Sequence, residues 1–187
     1  MANRNTQGFG LIPAGTLGST PATSGQGKYK IDAGSATTIF HGGAVSSTAG
    51  YVVEGQGTAD NPMLGVLNGI FFNAATTLKP TFQNHYVQVT PANSEDIDAF
   101  VFDNPQQQYV VATDDVVAQA GYLETYDMNA SAGSTTTGQS SSTLDIGDTS
   151  ADGAAFRLLR SAEDPENDEN AAFRSVVVCL NLIELQS

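Results

Sequence analysis

Residues 96–115 read DIDAFVFDNPQQQYVVATDD, and the fold class turns on them. Two short apolar runs, at 99–102 and 109–112, flank the polar connector Asp103-Asn104-Pro105-Gln106-Gln107-Gln108. Phe, Val and Tyr suit a pleated, half-buried surface, whereas Asp-Asn-Pro is turn chemistry. The spacing predicts an antiparallel hairpin with a loop of about six residues. Acids at both ends keep the neighbouring edges soluble, and nothing in the stretch is catalytic.

Outward from this stretch the same grammar repeats. Upstream, residues 29–31, 37–40, 44–45 and 51–54 are strand-like runs separated by Gly and Ser. Residues 64–72 (LGVLNGIFF) form a longer strand interrupted by Gly69, a residue that inside a strand marks a bulge or a barrel corner. Shorter runs follow at 81–82 and 85–89. Downstream, Thr113-Asp114 offers an N-cap for one short helix over 115–119, ended by Gly121. Residues 129–142 (NASAGSTTTGQSSS) are a polar, low-complexity loop. Strands are predicted again at 144–146 and 156–159. The most apolar run, 173–185 (FRSVVVCLNLIEL), sets Val176, Val178, Leu180 and Leu182 on one face and Val177, Cys179 and Ile183 on the other. A strand apolar on both faces is central or covered.

Composition supports that reading. A chain of 187 residues fits one domain and buries roughly 70% of its unfolded surface. Only 14% of residues are charged, too few to solvate several amphipathic helices. The expected fold is all-β: a compact antiparallel β-barrel or jelly-roll-like domain with long loops and one short helix. An extended N-terminal arm over 1–28 would precede a single domain over 29–187.

Charge is unevenly spread. The net charge is −13, yet residues 1–31 hold Arg4, Lys28 and Lys30 and no acid, while the remainder carries −16. Double-stranded nucleic acid is a poor partner for such a body. The arm lacks any helical or alternating period, and its Phe9, Leu11, Ile12 and Leu17 are ill suited to a free linker. A basic arm that orders on a neighbouring acidic surface fits better than a loose tail. No apolar run approaches a membrane span, and the first ten residues lack a signal-peptide core. The single Cys179 precludes an intrachain disulfide and reads as a core residue.

Signatures of catalytic or metal chemistry are sparse. His41 and His85 are the only histidines, and neither has His, Cys or acid at ligand spacing. The connector 161–170 (SAEDPENDEN) holds five acids, but an EF-hand counted from Asp164 would meet Glu169 and Ser175 where Gly and Glu are required. There is no Gly-x-Ser-x-Gly elbow and no phosphate loop. Paired acids such as Asp96/Asp98 and Asp114/Asp115 flank strands or cap a helix. No catalytic, cofactor or metal site is expected. Tyr51, Tyr86, Tyr122 and Tyr126 remain possible sugar platforms, with core or rim packing as the default for each.

The order of segments carries a resemblance. Residues 30–45 (KIDAGSATTIFHGGAV), 64–87 (LGVLNGIFFNAATTLKPTFQNHYV), 99–115, 137–146 (TGQSSSTLDI), Arg157-Leu158-Leu159 and the last strand follow one another. In this order they resemble the capsid cement, or decoration, proteins of tailed bacteriophages, over roughly residues 29–186. That resemblance implies a non-enzymatic homotrimer on the outer surface of the virion head. The trimer would tie neighbouring major capsid subunits together after synthesis in the host cytoplasm. On the charge and composition of the arm, the candidate capsid contacts are Arg4, Phe9, Leu11, Ile12, Leu17 and Lys28 within it and Lys30 just beyond it. A head-fibre or tail protein that binds a receptor or glycan is the alternative.

Overall fold

Runs of three to nine residues punctuated by Gly, Pro and Asn fold as strands, because each is too short to complete useful helical turns and is rich in β-branched and aromatic side chains. The computed structural model describes residues 3, 5–18, 25–58, 61–130, 133–149 and 154–186. Among them lie twelve strands. They are β1 (Ile12–Thr16), β2 (Gly27–Ile31), β3 (Ala44–Thr48), β4 (Tyr51–Glu54), β5 (Gly65–Asn73) and β6 (Pro80–Gln83). After these come β7 (Ile97–Phe102), β8 (Gln107–Ala112), β9 (Thr125–Asn129), β10 (Thr143–Thr149), β11 (Phe156–Ser161) and β12 (Ser175–Leu180).

The strands form two antiparallel sheets. Sheet A has the order β1-β8-β12-β11-β9-β10, and sheet B the order β2-β7-β5-β3-β4, with β6 added on β5. The all-β expectation holds, as two sheets and not as a closed barrel. Sheet B curls enough to bring β2 and β4, its first and last strands, close together.

The predicted hairpin at 96–115 is corrected. Both strands exist, but β7 pairs with β2 and β5 in sheet B, while β8 pairs with β1 and β12 in sheet A. The connector is therefore a crossover between sheets. Asn104 shapes its turn, accepting the Gln106 amide on its side chain and the Gln107 amide on its carbonyl. Phe102 and Tyr109 enter the same core, and the buried Tyr109 hydroxyl donates to the Phe102 carbonyl at 2.9 Å. The two strands meet face to face and not edge to edge.

Two cores result. One lies inside the curl of sheet B, with Leu67, Ile70 and Phe72 of β5 against Ile97, Ala99 and Val101 of β7. The other lies against sheet A and takes Val66 and Phe102 from the opposite faces of the same two strands. A register shift between Leu67 and Gly69, where a bulge was expected, falls where β5 leaves the second core. The last strand is central, as its two apolar faces imply: β12 runs between β8 and β11, and all six of its residues are buried.

Other expectations change. The helix predicted over 115–119 is instead a single 3-10 turn at Gln119–Gly121. Strands at 37–40 and 85–89 shrink to one bridge between Ile39 and Tyr86. Arg174 is 2% exposed beside this region; it donates to the carbonyls of Val117 and Glu169 and to the Tyr122 hydroxyl, and its guanidinium lies 5.6 Å from the Tyr122 ring centre. Those bonds hold the loop between β8 and β9 in place.

The described residues of the arm order on the body itself. The Asn3 side chain donates to the carbonyls of Asp168, Ala171 and Ala172, and the Leu11 amide donates to Gly42 at 2.8 Å. β1 is an edge strand of sheet A, and Leu11 is 1% exposed in the core. The proposed boundary at residue 28 falls inside β2. Alternation explains the split at the start of β1: Leu11 turns inward while Ile12 remains 46% exposed.

Leu11→Ala should therefore cost about 2–5 kcal/mol of stability, as a buried leucine does. Ile12→Ala should change it by no more than about 0.5 kcal/mol. Urea unfolding of the two variants checks this; equal, small effects would show the arm to be detached from the body.

Candidate docking surface

Strand alternation decides what the outer face of sheet B presents. In β7 the residues Ile97, Ala99 and Val101 point inward, so Asp98 and Phe100 point out. Across the register, Phe100 stands opposite Lys28 of β2 and Gly69 of β5, and Asp98 opposite Lys30 and Phe71. Phe71 in turn stands opposite Phe82 of β6. Three aromatic rings and two lysines thus share one face.

Gly69 makes the aromatic cluster possible. A Cβ there would lie 2.6 Å from Phe82 Cζ and 2.8 Å from the Gln83 carbonyl oxygen, so only a glycine lets the Phe82 ring lie over β5. Phe82 and Phe100 sit with ring centres 6.2 Å apart, inclined at 39°, within the range of favourable aromatic pairs. Phe82 nevertheless remains 59% exposed. The β5–β6 hairpin that carries it also bears Leu78, 72% exposed and held at φ 54°.

One carboxylate organises the charge on this face. Asp98 accepts ion pairs from Lys28 at 2.8 Å and from Lys30 at 2.6 Å. Burial pushes the Asp98 carboxyl up, but the hydrogen bonds and charges of the two lysines outweigh it and leave it below its ordinary value. The hydrogen bond from Lys30 to Asp98 raises the ammonium in return. Beside them, a shallow cavity of about 280 Å³ is lined by Lys30, Phe71, Pro91, Glu95 and Asp98. Asp96, also on its wall, accepts a hydrogen bond from the Tyr51 hydroxyl at 3.2 Å.

The residues expected to make contacts are not gathered in one place. Arg4 lies outside the described residues. Phe9 is half-buried and its carbonyl accepts from Gln139; Leu11 is in the core. Ile12 and Leu17, 46% and 36% exposed, lie at the outer edge of sheet A. Lys28 and Lys30 belong to sheet B. Of the four tyrosines considered as sugar platforms, Tyr86 and Tyr126 are buried in the two cores and Tyr122 packs on Arg174. Only Tyr51 stays near an open cavity.

The other candidates have local roles. His41 Nδ1 is 2.8 Å from the Asn68 carbonyl, and the His85 ring stacks on Phe40. Cys179 is buried, which pushes its thiol up and away from the reactive thiolate. Among the described residues, no group of three or more His, Cys, Asp or Glu is placed to hold a metal. The aromatic face itself was hidden in the sequence. Phe71, Phe82 and Phe100 are scattered over three strands and converge only through the register.

The lowered carboxyl of Asp98 makes a pH prediction. Its folded value lies below the unfolded one of about 3.9, so its contribution is present above that pH and is lost as pH falls through the folded value. Because the lysines are 60% and 50% exposed, water screens the pairs and the contribution is at most about 1 kcal/mol. Asp98→Asn should thus be slightly less stable than the parent at neutral pH and converge with it as pH falls through that folded value. A constant offset in thermal melts down to pH 2 would contradict this.

No protein-family model, no curated protein and no solved structure matches the chain.

Proposed function

We propose that the protein is a non-enzymatic capsid cement, or decoration, protein. In this reading it sits as a homotrimer on the outer surface of a tailed-bacteriophage head and ties neighbouring major capsid subunits together against internal DNA pressure. The observation that carries the proposal is a set of large apolar side chains left exposed on paired strands and their turns: Ile12 and Leu17 at the edge of sheet A, Leu78 and Phe82 on sheet B. Apolar groups on a rigid framework favour docking, because little conformational entropy is lost when they are covered.

The resemblance in segment order to cement proteins supports a location on the head. A few exposed side chains make each contact weak, but a trimer engages several shell subunits at once, so effective concentration multiplies the affinity. The acidic body keeps trimers apart from one another and soluble. In this assignment the outer edge of sheet A takes over the docking role first given to the whole arm.

The test is binding to purified, expanded heads that lack the protein. Saturable binding is expected, with triads on the outer surface in an image reconstruction. The double variant Ile12→Asp, Leu17→Asp should bind at least about tenfold more weakly while its own oligomer is unchanged. Failure of the parent to bind such heads sinks the proposal. A second reading, glycan binding at the tail or on a head fibre, draws on the cavity where Phe71 adjoins Glu95, Asp96 and Asp98. Selective glycan-array signals without head binding would favour it.

A further inference from the structure

Residue 54 is an acid where the strand pattern calls for an apolar side chain. Val52 is buried in the core of sheet B, and Glu54, two residues on in β4, falls on the same face. Its partner across the register is Val45, 0% exposed in that core. The carboxyl therefore points into the seam where the end of β4 meets sheet A. The Met128 amide of β9 pins that seam by donating to the Gly57 carbonyl at 2.8 Å. A cavity of about 10 Å³ lies there, lined by Phe40, Ala44, Glu54, Met128, Ser140 and Ser142 among others. That is room for about one water molecule.

The segment 133–142 closes the cavity. Its Ser140 and Ser142 are each 3% exposed, and their hydroxyls bond to one another at 2.9 Å. The Ser140 amide donates to the His41 carbonyl, and the His41 amide donates to Gly138. The same segment seats the arm ahead of β1. There the Gly10 amide donates to the Ser142 carbonyl at 3.2 Å, and the Gln139 side chain donates to the Phe9 carbonyl at 2.6 Å. Residue 10 must be glycine: its φ is 73°, and a Cβ would lie 2.7 Å from the Gly42 carbonyl oxygen and 2.8 Å from Ser140 Cβ. The contacts that close the cavity are thus the ones that hold the arm.

No second charge serves the Glu54 carboxylate. Residues 5–18 of the arm, the segment 133–142, β3 and residues 55–57 contain neither acid nor lysine nor arginine. In β9, Asp127 alternates to the face opposite Met128. Glu184 accepts the Ser47 amide farther along β3. Of the histidines, His85 stacks on Phe40, and His41 bonds the Asn68 carbonyl. Burial is what acts on Glu54, and it pushes the carboxyl above its ordinary value of 4.5.

The geometry points to a pH-sensitive latch: with Glu54 neutral, segment 133–142 and the arm close over the seam, and with Glu54 ionised both loosen. The ionised group needs more water than the closed cavity holds, and the two serine hydroxyls are already engaged with each other. Linkage gives the sign. The closed form holds the proton more tightly, so closing is unhindered below the ordinary value of the carboxyl. The penalty on the closed form grows as pH rises through the raised value and is constant above it. Because the arm runs directly into β1, acidification tightens the edge that carries Ile12. The inference concerns the chain itself and does not rest on what the protein docks to.

Amide exchange on the full chain tests the latch, followed residue by residue by NMR and corrected for the intrinsic effect of pH. From about pH 4 to about pH 8, protection of the Gly10 and Ser140 amides should fall at least about threefold relative to the Val178 amide of β12. Glu54→Gln has the same shape and is neutral at every pH. It should keep both amides at their acid level of protection throughout and melt higher than the parent at neutral pH. Carbon-13 titration of the Glu54 carboxyl in the parent reads the group directly, and a value above 4.5 is expected. The same loss of protection in E54Q would assign the effect to a histidine or another group and overturn the latch. So would a parent whose two amides show no such loss, or a Glu54 carboxyl that titrates at or below its ordinary value.

Discussion

β5 and β7 carry apolar side chains on both of their faces, and the architecture follows from that constraint. One face of each closes the core inside sheet B. At the end near Val66 and Phe102, the other face also lies against sheet A. No single sheet can cover a strand on both sides, so a second sheet is obligatory. The chain supplies it by crossing over at Asp103-Asn104-Pro105, and the bond from Tyr109 to the Phe102 carbonyl joins the two layers at the crossing. Beyond the reach of sheet A, no further strand among the described residues covers the same outer face. Phe71, Phe82 and Phe100 occupy that remainder.

Electrostatics sharpen the contrast between the body and its contact surfaces. A chain with seven bases against twenty acids has few cations to deploy, and their placement matters. Arg174 is fully buried and serves the loop between β8 and β9; burying a charge is tolerable there because carbonyls, a hydroxyl and an aromatic face surround it. Lys28 and Lys30 share one carboxylate and keep half of their surface in water. Most of the remaining surface is acidic, which opposes indiscriminate association and leaves specificity to the few places where apolar groups and bases coincide.

Much of the strand content was legible in the sequence, because β-branched alternation is a local signal. The two-faced pattern of Val176 to Leu180 implied a central strand, and that is where β12 lies. Partner choice was not legible. A hairpin and a crossover between sheets both need two apolar runs and a polar turn, so residues 96–115 could not reveal which edges their strands would meet. The arm misled for a related reason: isolated apolar residues in a Gly-rich stretch show no period, and only the pairing of β1 with β8 separates buried Leu11 from exposed Ile12. The docking face was the least visible of all. Phe82 is one aromatic residue in a four-residue strand, and its neighbours are set by the register with β5 and by the missing side chain of Gly69.

The position of β12 in sheet A bears on how the molecule comes into being on the ribosome. β8 is made early, but one of its two partners is β12, which emerges more than sixty residues later. β1 and β8 alone are a two-stranded ribbon, and β12 is the strand that pairs them with β11, β9 and β10, apart from a bridge between Thr113, just past β8, and Leu144 of β10. Sheet B, whose strands all precede Asp103, can be completed while sheet A is still in two pieces. Non-local pairing of this kind slows folding and prolongs the exposure of apolar edges. Nascent chains halted before Ser175 would then protect amides in sheet B and leave those of β8 exchanging, and early protection of β8 in such chains would refute that order of events.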